Sequence, residues 1–159
     1  MSPIAFSGAL IDRADHVRGN ADALASFVNW KARLLQLDGL DPRIGADGRL
    51  AWTSLADAAP DSDLIFLGLE RTDAGERGCF VEVPAQRHQD GEPYANPNLW
   101  AALSSLSADE LAVYGAARAL KDWHNRHGFC ARCGHETRMA KGGWQRSCTQ
   151  CGAEHFPRV

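Results

Sequence analysis

Two Cys-x-x-Cys pairs, Cys130/Cys133 and Cys148/Cys151, constrain this chain more than any other feature. Two residues between cysteines let a tight turn aim both sulfurs at one point. The 14 residues between the pairs contain Gly142-Gly143, so the intervening stretch reads as strand, glycine turn, strand, returning the second pair beside the first. Four thiolates arranged this way suit a tetrahedral structural zinc site, with redox disulfides or an iron–sulfur centre as the alternatives. Gly134 and Gly152 follow the pairs, where such turns need left-handed backbone. Four sulfur ligands leave no open coordination position, so the expected Zn²⁺ is structural and the cysteines are not a catalytic site. His135 and His155 could each replace a cysteine as ligand, but four thiolates already complete a tetrahedron, which favours reading them as surface residues. Cys79 stands alone in an alternating stretch and reads as a buried structural thiol.

The remaining residues must form the bulk of the fold. The sequence has 159 residues with 45% hydrophobic content, enough for one ordinary core plus a small metal-stapled module. No apolar run is long enough to cross a bilayer. The first 20 residues lack the basic start and apolar stretch of a secretory signal, so a cytoplasmic location is expected, where paired cysteines favour metal over disulfide. Charge is uneven: residues 1–127 carry 12 basic and 18 acidic residues, while residues 128–159 carry five and two. Five scattered cations around a metal knuckle fit a solvated surface better than a nucleic-acid stripe.

Apolar patterning predicts an α+β fold: an N-terminal mixed β-sheet domain with packing helices over 1–127, followed by a zinc ribbon over 128–159. A short helix is expected at 21–29 and strands at 32–37 and 48–52. The apolar run at 63–70 reads as a buried central strand, joined through a longer loop at 72–78 to an alternating strand at 79–83. Residues 84–97, with Pro84, Pro93 and Pro97, read as a loop or linker. A short helix is expected at 98–106. Ser107 and Glu110 form a capping box, which starts a long helix over about 108–127. Val113, Ala116, Ala117, Leu120, His124 and His127 share one face of it, while Arg118, Lys121, Asp122, Asn125 and Arg126 share the other. Gly128 ends the helix almost at Cys130, so the ribbon is expected on a fixed mount. Trp144 and Phe156 could stack on a ligand, but ribbon aromatics more often fill the small core beneath the metal. Asp12 and Arg13 are adjacent but form no site by adjacency alone. No phosphate loop, dinucleotide fingerprint or nucleophile elbow is present.

Residues 120–159 strongly resemble the middle of the NADH pyrophosphatases, Nudix hydrolases built from an N-terminal domain, a zinc ribbon and a catalytic Nudix domain. The resemblance rests on Trp123-His124 before Phe129-Cys130, both cysteine pairs, Gly142-Gly143 and the aromatic-Pro-Arg at 156–158. The stretches at 6–18 and 63–70 also look like that family's N-terminal domain. The resemblance implies hydrolysis of NAD(H) to NMN(H) and AMP, with NAD-capped RNA as a further substrate in some relatives, and a homodimer. It implies Mg²⁺ or Mn²⁺ held by the glutamates of a Nudix box. That box is absent from this sequence, which has neither an Arg-Glu nor a Glu-Glu dipeptide. No catalytic residue is therefore expected in this chain, and the cysteine site is expected to brace a catalytic domain outside it. The aromatic of the aromatic-Pro-Arg motif, Phe156 here and usually Tyr in the family, is implied to line the dinucleotide pocket; packing within the ribbon is the alternative. A stand-alone zinc-ribbon module binding nucleic acid or a protein partner is the competing function.

Overall fold

A computed structural model describes residues 10–83 and 97–158 of the protein. The prolines Pro84 and Pro93 of the expected linker lie outside the described residues, as does the start of the family-like stretch at 6–18.

The elements run α1 (Asp15–Arg18), α2 (Ala21–Ser26), β1 (Arg33–Leu35), β2 (Leu37–Asp38), β3 (Asp41–Pro42), β4 (Trp52–Ser54), β5 (Asp63–Thr72), β6 (Gly75–Val83), α3 (Pro97–Ser105), α4 (Ala108–Arg126), β7 (Thr137–Ala140), β8 (Gln145–Cys148) and β9 (Glu154–His155). The α+β reading holds. The main sheet has the order β4-β1-β6-β5, with β1 parallel to β6 and the other pairs antiparallel, so it is mixed. A separate three-stranded sheet, β7-β8-β9, carries the ribbon.

The main sheet is buried on both faces, and alternation along its strands divides the core. Leu35, Ile65, Cys79 and Val81 meet Val113, Tyr114, Ala117 and Leu120 of α4. On the other face Leu34, Phe66 and Phe80 meet Val17 of α1, with Leu24 of α2 alongside. A β-bulge between Phe66 and Gly68 lets Leu69 return to the face that holds Phe66. Gly68 sits at φ 145, and a Cβ there would lie 2.1 Å from the Asp12 carbonyl oxygen, so only glycine fits.

Several expectations are corrected. β5 is an edge strand, not a central one. It is nevertheless buried because other chain segments cover its open edge: Asp12 and Leu69 exchange backbone hydrogen bonds of 2.9 and 2.7 Å, and the ribbon closes over Phe66. The strands of the β5–β6 hairpin extend to Thr72 and Gly75, leaving a tight two-residue turn where a longer loop was expected. The strand expected at 48–52 starts at Trp52, because Gly45 to Arg49 closes a turn (Gly45 N–H to Arg49 O, 2.8 Å). α3 begins at Pro97, whose missing N–H costs nothing in a first turn.

The long helix forms as expected. Ser107 accepts from the Glu110 N–H, and the Glu110 side chain accepts from the Ser107 N–H, completing the capping box. Glu110 also accepts from the Leu50 N–H at 3.0 Å, tying the helix start to the sheet side of the core. Burial pushes its pKa up, but the Leu50 and Ser107 hydrogen bonds and nearby Arg49 outweigh that and hold it below the usual glutamate value. Val113, Ala117, Leu120 and His124 are buried as expected, whereas His127 is exposed beside Trp123. Lys121, expected on the solvent face, is buried.

Candidate metal centre and adjoining cleft

Two matching knuckles present the sulfurs. In the first, the Gly134 N–H returns to the Cys130 carbonyl (2.9 Å) and the Arg132 N–H points at Cys130 Sγ (3.4 Å). In the second, the Gly152 N–H returns to the Cys148 carbonyl (3.3 Å), and the Gln150 and Cys151 N–H groups point at Cys148 Sγ (3.4 Å each). β7 and β8 pair Thr137 with Cys148, which brings the knuckles together. The four sulfurs lie within 4.8 Å of one another. Sγ separations are 3.7 Å for Cys130–Cys151 and 3.4 Å for both Cys133–Cys148 and Cys133–Cys151. A tetrahedron with Zn–S bonds of about 2.3 Å has edges of roughly 3.8 Å, so a zinc ion fits this set. No pair is close enough for a disulfide, and all five cysteines are free.

Among themselves the sulfurs hold protons unevenly. The Cys151 N–H leads the groups that pull Cys148 down to about 6. For Cys133 the His135 N–H pulls downward, but hydrogen bonding to the other thiols and loss of water push it up to about 12. A divalent cation binds thiolates and displaces the shared protons. His135 Nδ1 lies 3.2 Å from the Cys133 carbonyl and takes no place among the sulfurs. His155 is closer to the centre than a surface residue: its Nε2 lies 3.3 Å from Cys130 Sγ. The sequence reading weighs His155 as a replacement ligand and favours a surface position. The pairing of β9 with β8, which sets His155 opposite Arg146, is what brings it beside Cys130.

A buried polar network fastens the ribbon to α4. The Arg146 guanidinium donates to Thr137 Oγ1 (2.7 Å) and the Thr137 carbonyl (2.7 Å), and lies 2.8 Å from His124 Nδ1. Arginine only donates, so His124 Nδ1 accepts, and its Nε2–H donates to the Gly143 carbonyl at 2.7 Å. Arg146 on Nδ1 and the Gly143 carbonyl on Nε2 thus fix the His124 ring between α4 and the ribbon. Gly143 sits at φ 90, where a Cβ would lie 2.9 Å from two side-chain carbons of Ile65. Trp144 donates its indole N–H to the Phe66 carbonyl at 2.7 Å. It was expected beneath the metal or on a ligand; it joins the ribbon to the main sheet instead.

Beside this junction lies a cleft of about 290 Å³, lined by Asp15, Arg18, Gly19, Lys141, Trp144, Phe156 and Pro157. The Arg18 guanidinium stacks 4.1 Å from the Trp144 ring centroid and pairs with Asp15 at 2.8 Å. Burial lowers the Arg18 pKa, Asp15 works against that, and Arg13 adds to the lowering. Phe156 is 58% exposed, with the Lys141 ammonium 6.0 Å from its ring. It opens onto the cleft rather than filling the ribbon. Sequence reasoning named Phe156 but not Arg18, which sits in a four-residue helix with no readable period, nor Lys141, which sits in the short turn between β7 and β8. Cys79 is fully buried, 3.5 Å from Arg33 Nε, and burial pushes its thiol pKa up. Asp12 accepts from the Ala14 N–H at 2.8 Å and shapes the entry to α1. Among the described residues no helix is long and apolar enough to cross a membrane.

Residues 125–156 match the NADH pyrophosphatase zinc ribbon domain. The chain is 32% identical to a protein of Mycobacterium bovis (strain BCG / Pasteur 1173P2) named NAD-capped RNA hydrolase NudC, over 93% of this chain and 47% of the relative. The NudC of Mycobacterium tuberculosis (strain ATCC 25618 / H37Rv) matches with the same figures. The human NAD-capped RNA hydrolase NUDT12 is 31% identical over 74% of this chain and 21% of the relative. The chain thus spans about half the length, or less, of these curated relatives.

Proposed function

This chain carries the zinc ribbon of the NADH pyrophosphatase family and resembles members of that family along most of its length; from that premise we propose that it is the N-terminal and zinc-ribbon portion of a pyrophosphatase that cleaves NAD(H) to NMN(H) and AMP. NAD-capped RNA is a second substrate on this reading, following the names of the relatives. Residues 1–127 and 128–159 serve as two domains of one rigid support, for folding, homodimer formation and shaping of the substrate pocket. Cys130, Cys133, Cys148 and Cys151 hold a structural Zn²⁺, which supplies cross-linking rather than water activation. Phe156 contributes a stacking face to the dinucleotide, without the hydroxyl that a tyrosine would add. A cytoplasmic setting suits the reading, because reducing conditions keep four thiols available to metal.

We infer that the hydrolytic step is carried out by residues outside this sequence. Pyrophosphate hydrolysis needs divalent cations to neutralise phosphoryl oxygens and orient water. Among the described residues, the four cysteines are the one cluster of three or more metal-ligating side chains, and they are sulfur rather than oxygen donors. We assign the Mg²⁺ or Mn²⁺ carboxylates to a Nudix domain outside this sequence.

The observation that carries the reading is the docking of the ribbon. Trp144, Gly143 and His124 bolt it to β5 and α4 while Phe156 stays exposed on a cleft. The test expresses the reading frame with whatever follows codon 159 and assays NADH cleavage with Mg²⁺, beside the 159-residue chain. NMNH and AMP should form with the longer product and not with the shorter one. Turnover by the 159-residue chain, or a longer product without a Nudix box, would overturn the proposal.

A further inference from the structure

A divalent cation held by thiolates alone leaves negative charge on the sulfurs, and sulfur anions withdrawn from water need N–H groups around them. The four cysteines are not equally withdrawn. Cys133 and Cys151 are exposed, so water can reach their sulfurs, while Cys130 and Cys148 are buried. Cys148 Sγ receives two backbone N–H groups, those of Gln150 and Cys151, at 3.4 Å each. Among the described residues one backbone N–H points at Cys130 Sγ, that of Arg132 at 3.4 Å. The matching second partner comes from a side chain 25 residues away: His155 Nε2 lies 3.3 Å from Cys130 Sγ. A metal-bound thiolate has no proton and can only accept, so Nε2 must carry the hydrogen in that contact. His155 itself stays outside the set of four converging sulfurs, which makes it the partner of a ligand and not a ligand.

We propose that His155 is a positioning residue of the metal centre: its Nε2–H completes the donor set of the buried Cys130 thiolate, and through that bond the metal holds β9 and the Phe156 segment in place. β9 has two residues, paired with Arg146 and Ser147 of β8, and Phe156 follows His155 directly. Successive side chains of an extended chain point to opposite sides. With His155 turned to the sulfurs, Phe156 is turned outward, and it is 58% exposed. A protonated thiol is a much weaker acceptor than a metal-bound thiolate, so loss of the metal weakens the His155 anchor. The inference rests on the proposed reading only in taking the four sulfurs as zinc ligands; the donor that Cys130 draws from His155 is a separate observation.

The test compares the parent 159-residue chain with His155→Ala, His155→Gln and His155→Leu. Glutamine can place an amide N–H near the position of Nε2, whereas leucine fills space and donates nothing. Zinc affinity is read by competition with a chromophoric chelator. His155→Ala and His155→Leu should each bind zinc about tenfold to a hundredfold more weakly, the usual effect of removing an outer-shell partner, and His155→Gln should recover most of that loss. Loading with Co²⁺ gives a spectroscopic signature of the sulfurs. A thiolate that loses a hydrogen bond is a better electron donor, so the sulfur-to-cobalt charge-transfer band should move to lower energy in the alanine and leucine variants and stay near the parent position in the glutamine variant. Heteronuclear NOE values of the zinc-loaded chains should fall at the Phe156 and Arg158 amides in His155→Ala and return in His155→Gln. The proposal is overturned if His155→Ala keeps parental zinc affinity and an unmoved cobalt band, if leucine restores what glutamine does not, or if Phe156 stays equally ordered without the imidazole. A parent chain that takes up no zinc would overturn the metal reading as well, so the two failures are distinguishable.

Discussion

The indole N–H of Trp144 donates to the carbonyl of Phe66 at 2.7 Å, across 78 residues of sequence. This bond caps an acceptor on the open edge of β5 next to its bulge. It makes the ribbon a part of the main sheet's boundary rather than an appendage. Trp144→Phe keeps most of the ring but leaves that carbonyl without its donor. It should lower unfolding free energy by about 1–3 kcal/mol. Urea denaturation followed by far-UV circular dichroism measures this. If the ribbon were a separate unit, the main transition would not move.

A steric comparison tests the same junction. Gly143 (φ 90) and Gly75 (φ 100) both lie in the left-handed region, but a Cβ at Gly143 meets Ile65 at 2.9 Å while one at Gly75 meets nothing within 4 Å. Gly75→Ala should cost roughly 1–2 kcal/mol from backbone strain alone. Gly143→Ala adds overpacking and should cost about 1–3 kcal/mol more. Thermal midpoints of the two variants give the difference directly.

The buried Arg146–His124 contact predicts a large effect on stability. Arg146→Met removes the donors to Thr137 and to His124 Nδ1 and leaves buried acceptors bare. About 2–4 kcal/mol of destabilisation is expected. His124→Phe removes the Nδ1 acceptor but also the Nε2–H donor to the Gly143 carbonyl, so it should destabilise on its own, and a double-mutant cycle with Arg146→Met reads the coupling.

Metal content follows from the sulfur geometry. The purified chain should carry one zinc, and Cys148→Ser should reduce that content sharply, measured by elemental analysis beside a thiol titration. Protons compete with the metal for thiolates, so zinc is retained above neutral pH and released progressively as pH falls. Retention unchanged by Cys148→Ser would remove that sulfur from the site.

Glu110 predicts an acid limb. Its folded pKa lies below the usual glutamate value, so its stabilising contribution is complete above the unfolded pKa of about 4.3 and is lost as pH falls through the folded pKa. Glu110→Gln should lower stability at neutral pH and flatten its decline between about pH 5 and pH 3. Urea midpoints across that range are the readout.

Much of this architecture could be read from residue order. The Ser107/Glu110 box located the start of α4, and the two Cys-x-x-Cys pairs with Gly142-Gly143 located the ribbon and its four sulfurs. Those signals are local, with each motif containing its own geometry. What escaped was set by contacts between distant segments. The run at 63–70 read as central because both its faces are apolar, yet its burial comes from Asp12 and Trp144 covering an edge. Lys121 is buried and His127 exposed, both against the helical-face reading, near the end of α4 where Thr137 of the ribbon bonds the His127 carbonyl. Arg18 belongs to a four-residue helix too short to carry a period, so its place beside Lys141 and Phe156 had no signature in sequence.

The closure of β5 has a consequence for solubility. An uncovered sheet edge is a row of backbone donors and acceptors that can pair with another chain. Here that row is shielded at Phe66 by Trp144, which sits on the ribbon turn between the two cysteine pairs that are proposed to hold zinc. Loss of the metal therefore exposes a sticky surface at a distance from the sulfurs themselves. Metal-starved molecules should self-associate before they lose their main sheet, so that metal supply decides whether the protein stays dispersed.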